Sequence, residues 1–170
     1  MNRYLRFALM IGTSTTVMLA LMYLNSYEWA HVRWSETRFY MALLMGGAMA
    51  VVMLSFMLGI YTDKTKNAFI FVGGIVLGAA ALWLVRSQAT VDGTSYMKAM
   101  IPHHSIAILT SERAGIEDVR VRQLADEIIR AQRREIKEME WLIDDIRQNG
   151  VAATQTQAAD RPVPRFEGEL

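Results

Sequence analysis

Apolar residues fall in three unbroken blocks, roughly residues 5–24, 39–61 and 68–85, and after residue 85 the pattern changes to a three-and-four spacing mixed with charge. Beyond Arg6, at the edge of the first block, none of the three carries a charged residue. Each is close to the ~20 residues that a helix needs to cross a ~30 Å hydrocarbon core. A helix is the expected form, because lipid offers no partner for free backbone groups. The first block is longer than the apolar core of a signal peptide, and no small-x-small cleavage site follows it at Asn25-Ser26-Tyr27. It is read as a retained helix. Within the third block, Gly74 and Gly78 make a small-xxx-small pair that admits another helix at close range.

The second half reads as two amphipathic helices. Asp92 stands where an N-cap belongs, Gly115 where a C-terminal stop belongs, and Pro102 predicts either a kink near residues 99–101 or a restart. Residues 97, 100, 104, 107, 111 and 114 share one face of this first helix. The second spans about residues 119–148, with a predicted seam of Val121, Leu124, Ile128, Ala131, Glu135, Met139, Leu142 and Ile146. Glu135 then occupies an apolar slot, which is costly unless the charge is paired or coordinates something. A short turn makes the two helices an antiparallel hairpin, and two such hairpins close into a four-helix bundle, so a homodimer or higher homo-oligomer is expected. The resulting division is a three-helix transmembrane anchor over 1–86, a helical hairpin over 87–148 and a disordered tail over 149–170, all of it α-helical in class.

Charge adds direction. Arg3 and Arg6 precede the first block, and Lys64 and Lys66 lie between the second and third. That bias favours an inside N-terminus and places the hairpin outside, in a bacterium on the periplasmic side of the inner membrane. Trp29, Trp34 and Trp83 suit an interfacial belt there, and His31, among these aromatics, reads as an anchor without a functional role. The total charge of +1, with no large basic patch, gives no reason to expect nucleic acid as a partner.

The chain has no cysteine, twelve methionines and three histidines, so any soft-metal chemistry uses thioether and imidazole. The stretch MKAMIPHHSIAILTSE gathers Met97, Met100, His103 and His104, and the hairpin count sets Gln132, Glu135 and Met139 within one or two turns of them. Met97, Met100, His103, His104, Glu135 and Met139 are therefore the candidate metal ligands, with Glu112 and Gln132 as supporting partners. The plainer alternative is a hydrogen-bonded His, Glu and Gln layer that fixes helix register. Met41, Met45, Met49, Met53 and Met57 recur every fourth residue, either as a thioether ladder or as adaptable packing, the plainer of the two. No Glu-x-x-His, nucleophile–base pair or phosphate loop is present, so the chain reads as non-enzymatic.

The runs MKAMIPHHSIAIL and LADEIIRAQRREIKEMEWL resemble the domain of unknown function 305 family (DUF 305), over roughly residues 92–147. The apolar first half is similar to its three-helix membrane version. The resemblance implies a ferritin-like helical architecture and binding of copper or silver ions through Met and His, with His103, His104, Met100, Gln132, Glu135 and Met139 matching the family's motif positions. Glu112 matches a commonly acidic position. Ile106 and Thr110 stand where copper-binding members often carry further methionines, so zinc or another divalent ion competes with Cu(I). The other class of function is a structural or regulatory subunit with an unidentified membrane-protein partner.

Overall fold

A computed structural model describes residues 2–170. Among them are six α-helices and no strand: α1 Arg3–Leu21, α2 Glu36–Phe56, α3 Lys64–Ser87, α4 Gly93–Arg113, α5 Val119–Asn149 and α6 Gln155–Asp160. The chain forms two compact units. One takes residues 1–24 and 36–90, the other residues 25–35 and 91–170.

In the first unit, α1, α2 and α3 are each long and apolar enough to cross a membrane. Helix α2 packs on both of the others. Its contact with α3 brings backbone close to backbone. A Cβ built on Gly47 would lie 2.7 Å from the Gly74 carbonyl oxygen, and one on Gly74 would lie 3.0 Å from that of Gly47. The Gly74 face, expected to admit another helix at close range, is thus taken by α2 of the same chain. Phe7, Leu54 and Tyr61 form the buried centre of this unit, with Met53 and Met57 packed against them. Tyr4 joins α1 to α3, its hydroxyl 2.9 Å from Asn67 Oδ1 and accepting the Asp63 N–H at 3.0 Å.

The second unit is built on α4 and α5. Asp92 caps α4 by accepting the Ser95 N–H at 2.7 Å, as its position predicts, and Asp118 caps α5 by accepting the Arg120 N–H at 2.9 Å. Pro102 is buried inside α4, which runs unbroken from Gly93 to Arg113. Gly115 is not the stop: Ala114 ends the helix in extended conformation, and the only glycine with positive φ among the described residues is Gly150, which ends α5.

Both buried faces differ in part from the expected ones: Met97, Met139, Leu142 and Ile146 lie in or against the core as expected, and other positions do not. On α4 the buried positions are Met97, Ile101, Pro102, Ser105 and Ile108. On α5 they are Ala125, Ile129, Ile136 and Met139. Val121 and Leu124, expected in the seam, are 48% and 56% exposed. Small Ala125 and polar Ser105 hold the inward places, so a reading by bulk and polarity selects the neighbouring residue on each helix. Glu135 consequently flanks the seam instead of filling it, which removes most of the cost of burying its charge.

Two further segments complete this unit. Residues 25–35, the link between α1 and α2, pack on α4. Residues 149–170, expected to be a disordered tail, carry the capped helix α6 and return along α5. Thr154 and Gln157 close a capping box at its start. Arg161 pairs with Asp145 at 2.8 Å, and Arg133 and Lys137 donate to the carbonyls of Glu169 and Glu167 at 3.0 and 2.9 Å. These cations, spaced four apart on α5, supply the backbone partners that a polar tail lacks on its own.

Candidate functional site

Helix α4 presents His103 and His104 on adjacent positions, and they part company. His103 is exposed, and its ring centroid lies 6.1 Å from that of His104. His104 is largely buried at 12% side-chain exposure and has both ring nitrogens engaged. Nδ1 lies 2.9 Å from the Met100 carbonyl oxygen, one turn back on the same helix. Nε2 lies 2.8 Å from Glu135 Oε2 on α5. A ring held by a carbonyl at one nitrogen and aimed at a carboxylate by the other has a fixed orientation. In metal sites the same outer contact sets the tautomer and leaves Nε2 as the ligand.

The other sequence-selected residues are placed differently. Met97 and Met139 sit in the apolar cluster with Ile101, Ile108 and Ile136, and Met100 packs against it. Their thioethers are part of the hairpin's core. Gln132 is half-buried on α5. Glu112 is claimed by Arg133, whose guanidinium also reaches the Tyr27 hydroxyl at 3.3 Å. Glu135 borders a polar cleft of about 750 Å³ between α5 and residues 165–168, with Arg130, Arg134 and Phe166 among its walls. That cleft gives the Glu135 side of the pair an approach from solvent. Arg134 lies 3.8 Å from Glu135 Oε1.

The fit to a metal ion is partial. His104 Nε2 and Glu135 Oε2, 2.8 Å apart, are at hydrogen-bond distance. Bonds of about 2.0–2.2 Å at a tetrahedral angle set two donors about 3.4 Å apart, so an ion shared by the pair would replace this hydrogen bond and move the two atoms apart. No group of three or more His, Cys, Asp or Glu within reach of one ion exists among the described residues. The pair therefore offers two donors, fewer than the three protein ligands of the usual metal centre.

Sequence reasoning missed the neighbouring Ser105. Its hydroxyl is fully buried, accepts the Tyr27 N–H at 2.7 Å and shares a hydrogen bond with His31 Nδ1 at 3.0 Å. His31 Nε2 in turn lies 3.8 Å from Glu28. With Arg33 paired to Glu140 at 3.1 Å, these contacts dock residues 25–35 on the hairpin. His31 is thus more than an interfacial anchor. The available signal was Ser105 lying between Ile101 and Ile108 at four-and-three spacing, a polar residue on what is the apolar face.

Residues 93–167 match the family model described as Domain of unknown function (DUF305). A relative, uncharacterized protein L153 of Acanthamoeba polyphaga mimivirus, is 33% identical over 147 residues, covering 85% of this chain and 95% of the relative. The chain belongs to the DUF305 family. Because less than half of the chain lies beyond residue 92, a match of that length also takes in apolar helices of the first unit. The histidine pair and Glu135 lie inside the DUF305 stretch, while the docking residues Tyr27 and His31 lie outside it. No solved structure matches the chain.

Proposed function

We propose that this DUF305 protein is a membrane-anchored metal-binding protein that handles copper, with His104 and Glu135 as the donors that each copy contributes. The observation that carries this reading is the Nε2–Oε2 separation of 2.8 Å, with Nδ1 already held by a backbone carbonyl. The ion is cargo, held for transfer, and the protein is not an enzyme. Imidazole with carboxylate suits Cu(II) or Zn(II), and Cu(I) draws in thioethers such as that of Met100. Two copies pair through α5, where Val121 and Leu124 leave apolar surface in water, and form a ferritin-like four-helix bundle. The second copy then adds the remaining donors, the exposed His103 among them. The hairpin faces the periplasmic side of a bacterial inner membrane, as the basic residues at Arg3, Arg6, Lys64 and Lys66 favour.

Elemental analysis of the full chain, purified in mild detergent without chelator, tests this. The expected result is copper or zinc at one ion per pair of chains, lost in His104→Ala and in Glu135→Gln with helicity retained. A metal-free wild-type protein that also fails to take up added copper overturns it.

A second reading has its own support. Met97 and Met139 are buried among isoleucines, and His104–Glu135 and Ser105–His31 stand side by side as polar ties. In that reading the layer fixes the register of a small structural or regulatory subunit. Its mark is a larger membrane protein that co-purifies equally with wild type and with the His104→Ala variant.

A further inference from the structure

The first unit contains an apolar groove that its own packing leaves unfilled. Helix α1 meets α3 at the Tyr4–Asn67 end, and beyond it all three helices border a cavity of about 540 Å³. This is within the ~300–1,000 Å³ range of small-molecule sites. Its walls include Ala8, Gly12, Thr15, Gly46, Gly73 and Leu77. Gly12 and Gly73 have nothing within 4 Å of where a side chain would begin, so the groove is open at both walls.

From Tyr4 to Leu19 the groove follows α1 for about 22 Å at 1.5 Å per residue. A long, narrow groove with an almost wholly apolar lining suits an extended acyl chain lying along the helix.

The chemistry at its closed end identifies the headgroup. Lys66 Nζ lies 5.2 Å from the centre of the Tyr4 ring, which lines the groove. Arg3, Arg6 and Lys64 are close by in sequence at the same helix ends, and Asp63 is the one acid among them. Lys66 pairs with Asp63 at 2.8 Å, which leaves the three other cations in excess. Clusters of basic side chains at the ends of membrane helices attract anionic headgroups.

We infer that the groove between α1, α2 and α3 is a binding site for an anionic phospholipid, one acyl chain lying along Gly12 and Gly73 and the phosphate at the Arg3–Lys66 end. This rests on the apolar helices spanning a membrane. Resistance of the full chain to carbonate extraction tests that premise separately.

The site itself is tested by native mass spectrometry of the full chain released from nanodiscs of mixed phosphatidylglycerol and phosphatidylcholine. Wild type is expected to retain one phosphatidylglycerol per chain. Gly12→Leu and Gly73→Leu, which fill open space without a clash, are expected to abolish retention while keeping the melting profile. Arg3→Gln and Lys64→Gln are expected to weaken the preference for phosphatidylglycerol about fivefold each. Retention unchanged in both glycine variants overturns the proposal. So does a groove-filling variant that separates paired copies with no change in lipid, which assigns the groove to a protein contact.

Discussion

The two units solve the same problem, holding helices together, in opposite ways. In the first, α2 and α3 meet where Gly47 and Gly74 let carbonyl oxygens approach within about the reach of a Cβ. In the second, α4 and α5 are held apart by bulk: Ile101 and Ile108 are 0% and 1% exposed and interlock with Ile136 and Met139. The difference follows from the solvent each surface is written for. Lipid tails are as apolar as leucine, so association in a membrane relies on close fit between small residues. Water expels large side chains, at about 1.5–3 kcal/mol for each one fully buried.

The largest break in this contrast comes from adding bulk to the first unit. Gly47→Leu has no space against the Gly74 carbonyl and is expected to destabilise α2–α3 packing by about 3 kcal/mol or more. Thermal unfolding in mild detergent reads this, with Gly59→Ala, where nothing lies nearby, left unchanged. Removing bulk from the second unit works in the opposite sense. Ile101→Ala leaves a cavity at a fully buried position and is expected to cost about 2–5 kcal/mol by denaturant unfolding, seen in the helical signal of the full chain. The reverse exchange is equally informative, since shrinking a large side chain on the exposed outer faces of α1 or α3 has little effect.

Ser105→Val sharpens the comparison, because it tests a polar tie inside the apolar face. The Tyr27 N–H loses its partner and His31 loses its hydroxyl neighbour. A cost of about 1–3 kcal/mol is expected, together with faster proteolysis within residues 25–35. Leu124→Ser touches neither packed face. It is expected to change the stability of the single chain by less than about 0.5 kcal/mol, and to weaken pairing of copies in sedimentation if α5 carries the shared seam.

The smallest effect is set by pH at the helix starts. The Ser95 N–H holds the Asp92 carboxyl below the usual carboxylate range, and the Arg120 guanidinium, then its N–H, does the same for Asp118. Each folded value lies below the unfolded one. The capping contribution is therefore present above the unfolded value and is lost as pH falls from there through the lowered folded one. Asp92→Asn keeps a cap without titrating, and is expected to flatten part of that acid response in the helical signal.

Much of this architecture was legible in the residues. Three long apolar blocks announce α1 to α3, and Asp92 announces the start of α4, because membrane thickness and capping are local rules. What was not legible depended on contacts from elsewhere in the chain. Ser105 is inward because residues 25–35 bring it a backbone donor and an imidazole. Val121 and Leu124 are outward while Ala125, next to Leu124, takes the buried place. The Gly74 face was visible as a place for a helix, but which helix was decided by Gly47. In the candidate site, counting along the hairpin brought Glu135 within one or two turns of the histidines, but did not show which of the two it meets. Nor did it show the burial of Met97 and Met139 among isoleucines, since thioethers serve equally as core and as ligand.

The most direct test of the metal-handling account is competitive titration of the full chain in nanodiscs with Cu(I) and Cu(II) against a chelator of known affinity. The account predicts saturable binding that weakens tenfold or more, about 1.4 kcal/mol, in both His104→Ala and Glu135→Gln. Equal binding by wild type and both variants contradicts it.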